Sequence, residues 1–351
     1  VINSLRLQHF RSYLDESFEF SPAVNIIVGP NASGKTNLLE AILVVARGGS
    51  YRANDSDLVE FGEPWARLDA QMENTTRVVK FMTEPLPRKM YELDGKVFSR
   101  LSQHHMVPIV LFEPNHLTLL TGSPELRRSF LDDLLAQTLP GYATLRQTYK
   151  RTLAQRNSLL KKGLSPARAQ IFAWNIRLSE QAGKMVKART NLVLELNSRI
   201  GELYKELSHS QTGVTLEYYS PLPTEDYETR LLKQLEYQLE LDVLRGFTSF
   251  GPHREDMIVR FDGHPASETA SRGEARTLVL GLKIIELEII REARNETPIV
   301  LLDDVFSELD GTRRRALTSY LEHYQAFITT TDADVVIKHF TEIAHIIPVN
   351  G

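Results

Sequence analysis

The residues with the clearest chemistry lie near the start of the chain, at Gly29-x-x-x-x-Gly34-Lys35-Thr36. A short apolar run, Val24–Val28, precedes them, and Leu38, Leu39, Ile42, Leu43 and Ala46 follow at helical spacing. A glycine-rich loop between a strand and a helix is the setting in which backbone N–H groups wrap phosphate oxygens. The positive end of the following helix adds to that potential. The spacing therefore predicts a nucleotide cradle made of Gly29, Pro30, Asn31, Ala32, Ser33, Gly34, Lys35, Thr36 and Asn37. Lys35 would reach the β- and γ-phosphates of ATP, and the Thr36 hydroxyl would hold Mg²⁺.

Such a loop needs a second metal-holding element, and Ile299-Val-Leu-Leu-Asp303-Asp304 supplies one: four apolar strand residues ending in acids. Asp303 is the expected Mg²⁺ carboxylate. Asp304 stands where a hydrolysing enzyme needs a base or a water-positioning group, so Asp304 and Lys35 are the candidate catalytic residues. A third element, Ser271-Arg-Gly273-Glu274, reads first as a capping box opening a helix. A helix start carrying Ser and Gly is also a surface that can face phosphate.

These residues must be positioned by strands and helices in a particular order. Alternation at Ser4–His9 and Ser17–Phe20, and again over residues 66–72, 77–82 and 90–93, predicts strands, with Asp94-Gly95 as a hairpin turn. Val107–Phe112, Pro298–Leu302 and Gln325–Thr330 are apolar runs suited to buried strands. From about residue 123 the period becomes helical. Gly141 and the stretch Lys161-Lys162-Gly163 with Ser165-Pro166 separate helices of a hairpin that runs on through Leu203. One more amphipathic helix is expected over Asp226–Leu244, a hairpin at Met257–Phe261 and His264–Glu268, and a long helix over Glu274–Glu292. The expected fold is α/β: a P-loop head with a mixed sheet and parallel core, residues 1–122 and 246–351, interrupted by a helical arm, residues 123–245.

Composition narrows the class. The 351 residues are 42% hydrophobic and 25% charged, as in a globular protein rather than a disordered one. The chain has no cysteine, which excludes disulfides, thiolate metal sites and a cysteine nucleophile. No apolar stretch approaches the roughly 18 residues of a membrane span, and no export signal is visible, so a cytoplasmic location is expected. The net charge is −4, yet residues 141–200 hold twelve Lys/Arg against Glu180 and Glu195, a local balance of +10. Solvated helices usually mix charge signs, so this hairpin is either a plain solvated face or a phosphate-contacting one. On the second reading Lys150, Arg151, Lys161, Lys162, Lys184, Lys187 and Arg189 bind DNA without regard to sequence.

Ser271-x-Gly273-Glu274, then the strand ending in Asp303-Asp304, then Ser307-Glu-Leu-Asp310 is similar to the signature motif and D-loop of ABC-type ATPases. Over nearly the whole chain the sequence resembles the RecF family of bacterial recombination mediators, relatives of SMC heads. The resemblance is carried by Phe10-Arg11-Ser12-Tyr13, Gly29–Thr36, Pro108–Phe112, Gly122–Asp132, Tyr149–Asn157, Gly251-Pro-His253-Arg254-Glu-Asp256, Ser271–Thr277 and Leu301–Asp310. It implies a weak DNA-dependent ATPase of DNA repair, recombination and replication. ATP would close two copies head to head on single- or double-stranded DNA, at gaps or junctions, and RecR would be the partner in loading recombinase. It places Arg11 near the nucleotide, and Ser271, Gly273 and Glu274 against the γ-phosphate of the opposite copy. Thr330 and Thr331 stand where ABC proteins place a switch histidine, and Glu113 and Asn115 where they place a glutamine. Two other readings compete: the ATP-binding subunit of a membrane transporter, and a DNA scaffold that does not hydrolyse nucleotide.

Overall fold

A computed structural model of the chain describes residues 1–163, 168–331, 336 and 344–349. The expected Ser165-Pro166 turn lies outside the described residues. In chain order the elements are β1 (Ile2–Phe10), β2 (Tyr13–Glu19), β3 (Val24–Val28), α1 (Lys35–Arg47), β4 (Trp65–Met72), β5 (Thr76–Met82), β6 (Arg88–Leu93), β7 (Lys96–Phe98) and β8 (Ile109–Phe112). Then come α2 (Pro124–Thr138), α3 (Tyr142–Leu160), α4 (Arg168–Ser208), β9 (Val214–Tyr219), α5 (Tyr227–Tyr237), α6 (Leu239–Arg245), β10 (Asp256–Phe261), β11 (His264–Pro265), α7 (Ala266–Thr269) and α8 (Arg272–Arg294). The chain continues through β12 (Ile299–Asp303), α9 (Val305–Glu308), α10 (Gly311–Leu321), β13 (Ala326–Thr330) and β14 (Ala344–Pro348). It folds into two compact units, residues 1–116 with 286–351, and residues 117–285.

The first unit sorts its strands by direction. A six-stranded antiparallel sheet has the order β2-β1-β4-β5-β6-β7, and a five-stranded parallel sheet has the order β14-β3-β13-β12-β8. β12 and β13 are buried along their whole length, as parallel strands covered on both faces must be. β4 instead alternates, with Ala66, Leu68, Ala70 and Met72 inward and Arg67 paired to Asp69 outside. α1 packs its Leu38, Leu39, Ile42, Val44 and Val45 into the shared core. It stops at Gly48, whose positive φ of 84° lets its N–H cap the Val44 carbonyl. Buried Arg77 of β5 donates to the carbonyls of Val45 and Ala46, neutralising the negative end of the same helix.

The second unit is the helical hairpin expected from the period. α4 is 41 residues long and packs against α3, α2 and α5. Three differences from expectation have physical causes. The helix expected over Asp226–Leu244 bends at Gln238 into α5 and α6, which lets Leu239 join Leu160 and Ile171 while Asp242 meets Arg156. The strand expected over His264–Glu268 pairs only at His264–Pro265, because Pro265 has no N–H to extend the ladder, and α7 follows. Residues 246–285, expected with the head, cluster with the helical unit. There β10 pairs with β9 over six residues, and Asp256 takes both arms of Arg127 from α2.

Candidate nucleotide site

β3 delivers the chain to the P-loop, and β12 delivers Asp303. The two strands are not neighbours, since β13 lies between them. The loop is tight. A Cβ on Gly29 would stand 2.3 Å from the Val349 carbonyl oxygen, and Gly34 has a φ of +98° with Tyr13 and Ser12 against it. Tyr13 Oη donates to the Gly34 carbonyl at 3.0 Å. Lys35 Nζ folds back on the loop, donating to the carbonyls of Gly29 and Pro30 at 2.8 and 2.7 Å. The Ser33 hydroxyl is buried there and has no partner.

The metal-holding pair expected from sequence is assembled. Thr36 Oγ1 donates to Asp303 Oδ1 at 3.0 Å, across 267 residues of chain. Thr329 of the intervening β13 donates to the same carboxylate oxygen at 2.9 Å and accepts the Asp304 N–H at 2.9 Å. Sequence reading did not assign Thr329 a role, because its importance follows from strand order. A hydroxyl and a carboxylate are the hard oxygen donors that suit Mg²⁺, which completes its shell with water and substrate phosphates rather than an all-protein cage. No cluster of three or more His, Asp or Glu suited to a metal occurs among the described residues. Asp304 adopts a left-handed conformation, φ 54°, which turns its carboxylate outward, with Ser307 Oγ at 3.4 Å. Asp310 caps α10, accepting the Arg313 N–H at 3.0 Å.

Arg11 is held by Glu40 of α1 through two hydrogen bonds, at 2.9 and 3.0 Å, and by the Asp57 carbonyl. Asn37 donates to Ser12 and accepts from Arg52. Glu40 and Arg52 carry no expectation from the motifs, although a carboxylate inside Leu38-Leu39-Glu40-Ala41-Ile42 is a visible signal that a cation must meet it. Thr330 is buried at the end of β13, and Thr331 is exposed. The Glu113 N–H donates to His116 Nδ1.

The second unit carries the other expected residues. Ser271 and Glu274 form the reciprocal capping box: the Ser271 N–H donates to Glu274 Oε2 at 2.8 Å, and the Glu274 N–H to Ser271 Oγ at 3.3 Å. Ser271 stays exposed, and Gly273 and Glu274 are half-buried. On the arm, Lys150, Arg151, Lys161, Lys162, Lys184 and Lys187 are exposed. Arg189 is not a surface cation. It is buried, pairs with Asp132 through two hydrogen bonds, and donates to the Pro252 carbonyl. It falls on the buried stripe of α4 with Ala182, Met185, Leu192 and Leu196, so the helical phase marks it as interior. Arg156 is interior for the same reason on α3 and pairs with Asp242.

A family model described as the RecF/RecN/SMC N-terminal domain matches residues 1–350. The chain is 36% identical over 343 residues to the DNA replication and repair protein RecF of Heliobacterium modesticaldum, covering 94% of this chain and 92% of that protein. It is 35% identical to the RecF of Shouchella clausii, with 94% and 92% covered. Among solved structures it is similar to the recombination mediator protein RecF-ATP in the RecFOR pathway, with TM-score 0.84, 29% identity and 94% and 92% covered. An SMC head bound to the C-terminal winged-helix domain of ScpA aligns over 100% of this chain and 94% of that one with TM-score 0.55 and 18% identity, a likeness of fold alone.

Proposed function

The chain belongs to the RecF family within the RecF/RecN/SMC group, and from that premise we propose that it is an ATP-binding, DNA-binding ATPase of recombinational repair. The observation that carries this reading is the 3.0 Å contact between Thr36 and Asp303, which joins the P-loop to the acidic strand end. Thr36 and Asp303 would hold Mg²⁺ there, and the ion would supply positive charge to offset that of the phosphates. Lys35 has only loop carbonyls to leave, so a triphosphate can draw its ammonium outward onto the β/γ bridge. Thr329 keeps Asp303 in place and, through the Asp304 N–H, sets the backbone from which Asp304 reaches toward the attacking water.

The finer reading follows the family. Ser271, Gly273 and Glu274 of one copy would meet the γ-phosphate bound to another, so that ATP drives a homodimer and slow hydrolysis releases it. The six exposed arm cations suit single- or double-stranded DNA contacted through phosphate, at gaps or junctions, with RecR as partner. In function the head would comprise residues 1–122 and 246–351 and the arm residues 123–245, with 246–285 serving the head through the Ser271 motif although they cluster with the helical unit. No described helix is long and apolar enough to cross a membrane, and the protein would act in the cytoplasm.

Lys35→Met tests the core of this reading. The variant should stay folded, and ATP affinity should fall by at least tenfold, since a charge-assisted phosphate contact contributes on the order of 1.5–3 kcal/mol. Unchanged ATP binding and turnover would remove Gly29–Thr36 from the nucleotide site.

A further inference from the structure

Glu40 lies one turn beyond Thr36 on α1, between apolar residues, and is fully buried. A carboxylate taken out of water costs several kcal/mol unless it is paired and hydrogen-bonded. Glu40 is paired twice. Arg11 approaches with Nε and Nη2 at 2.9 and 3.0 Å, and Arg52 with Nη2 at 2.9 Å, while the Ser50 hydroxyl donates at 2.5 Å. Ser50 Oγ in turn accepts the N–H groups of Arg52 and Ala53, which fixes the loop that carries Arg52. Arg52 Nη2 also reaches Asn37 Oδ1 at 2.8 Å, beside Thr36.

One arginine would satisfy the charge of Glu40. Two leave the cluster at +1, and the excess faces outward: the side chain of Glu40 is 0% exposed, against 22% for Arg11 and 35% for Arg52. The guanidinium is the group best shaped to grip phosphate oxygens in pairs.

We propose that Glu40 is a positioning residue for nucleotide: from inside α1 it stations Arg11, from the β1–β2 turn, and Arg52, from the loop after α1, as two outward-facing guanidiniums that receive polyphosphate beside the P-loop. This rests on the nucleotide reading above. Glu40 touches no substrate and acts through the two arginines.

The test measures ATP, ADP and AMP affinity of the full chain with Mg²⁺, together with the urea unfolding midpoint. Glu40→Gln and Arg52→Gln should each weaken ATP and ADP about tenfold and AMP little, because the first releases the two arginines from their stations and the second removes one guanidinium's grip on the polyphosphate. Arg52→Gln should add little in the Glu40→Gln background. A purely structural Glu40 would shift the unfolding midpoint and leave the ATP-to-AMP ratio at the wild-type value, which overturns the proposal. Should Glu40→Gln fail to fold, Arg11→Gln and Arg52→Gln, neither of them fully buried, decide by the same ratio. Lys35→Met runs alongside. If it abolishes ATP binding while the Glu40 and Arg52 variants bind normally, this inference alone falls; if it too binds normally, the nucleotide reading falls with it.

Discussion

At the scale of single residues, the Gly251–Asp256 motif finds its account in the second unit. His253 Nδ1 lies 2.7 Å from Tyr149 Oη, and Nε2 lies 3.1 Å from the Thr248 carbonyl oxygen, so the neutral ring with its proton on Nε2 satisfies both contacts. Gly251 is required beside it: its φ is +129°, and a Cβ would come 2.7 Å from Tyr149 Oη. Glu255, fully buried, accepts from Ser220, Tyr218 and Tyr227 and so fastens β9 and α5 to this turn. Burial pushes His253 down to about 4, helped by the nearby cations Arg254, Arg128 and Arg156 and opposed by the Thr248 carbonyl. An unfolded histidine titrates near 6.5, so as pH falls below that value the unfolded chain gains a proton first. Stability contributed by neutral His253 should therefore be complete above about pH 6.5 and lost by about pH 4, on the order of 3 kcal/mol. Urea unfolding of wild type and His253→Gln between pH 7 and 4 checks this. Parallel pH profiles for the two proteins would show that the ring does not carry the effect.

At the scale of elements, α4 decides which cations are available. Its buried stripe, Leu178, Ala182, Met185, Arg189, Leu192 and Leu196, repeats at three and four residues. Lys184 and Lys187 fall off that stripe and are exposed, as are Lys161 and Lys162 just after α3. Charge reversal of Lys161 and Lys162 to Glu should weaken DNA binding equally for all sequences. Every phosphate left without its cation reduces the slope of log K against log salt by about 0.9 on duplex DNA, so the slope should flatten by up to about 2. Binding measured from low to moderate salt gives both numbers, and a wild-type slope in the double variant would place DNA elsewhere. Arg189→Ala should behave differently. It leaves Asp132 with only Arg146 and Tyr142 and takes the donor from the buried Pro252 carbonyl, so the damage should appear in folding, on the order of 3 kcal/mol.

At the scale of the whole molecule, the capping box leaves Ser271 both structural and exposed. Replacing a serine N-cap costs about 1 kcal/mol, which a protein of this size tolerates. Ser271→Arg should thus bind ATP near normally as a monomer, while its bulk and charge prevent a second copy from closing on the γ-phosphate. Sedimentation with ATP and with ADP reads this directly: wild type should dimerise with ATP alone, and the variant with neither. A variant that dimerises as wild type does would exclude the shared nucleotide sandwich.

Local pattern was enough for much of this protein. β3 spans the expected Val24–Val28, a helix follows the P-loop where Leu38–Ala46 fall at helical spacing, and Ser271 and Glu274 make the capping box their spacing announced. Each of these depends on neighbours within a few residues, where spacing alone sets geometry. β9 and β14 escaped notice because short strands are defined by their partners, and their partners are β10 and β3. The same holds for side chains. The convergence of Thr36, Thr329 and Asp303 depends on β13 lying between β3 and β12, and the burial of Arg189 on which helices cover its face. Sequence named the residues able to hold phosphate, metal or DNA. Only the packed structure, by bringing distant segments within hydrogen-bond reach, decided which of those charges are already paired inside the protein and which remain open to a ligand.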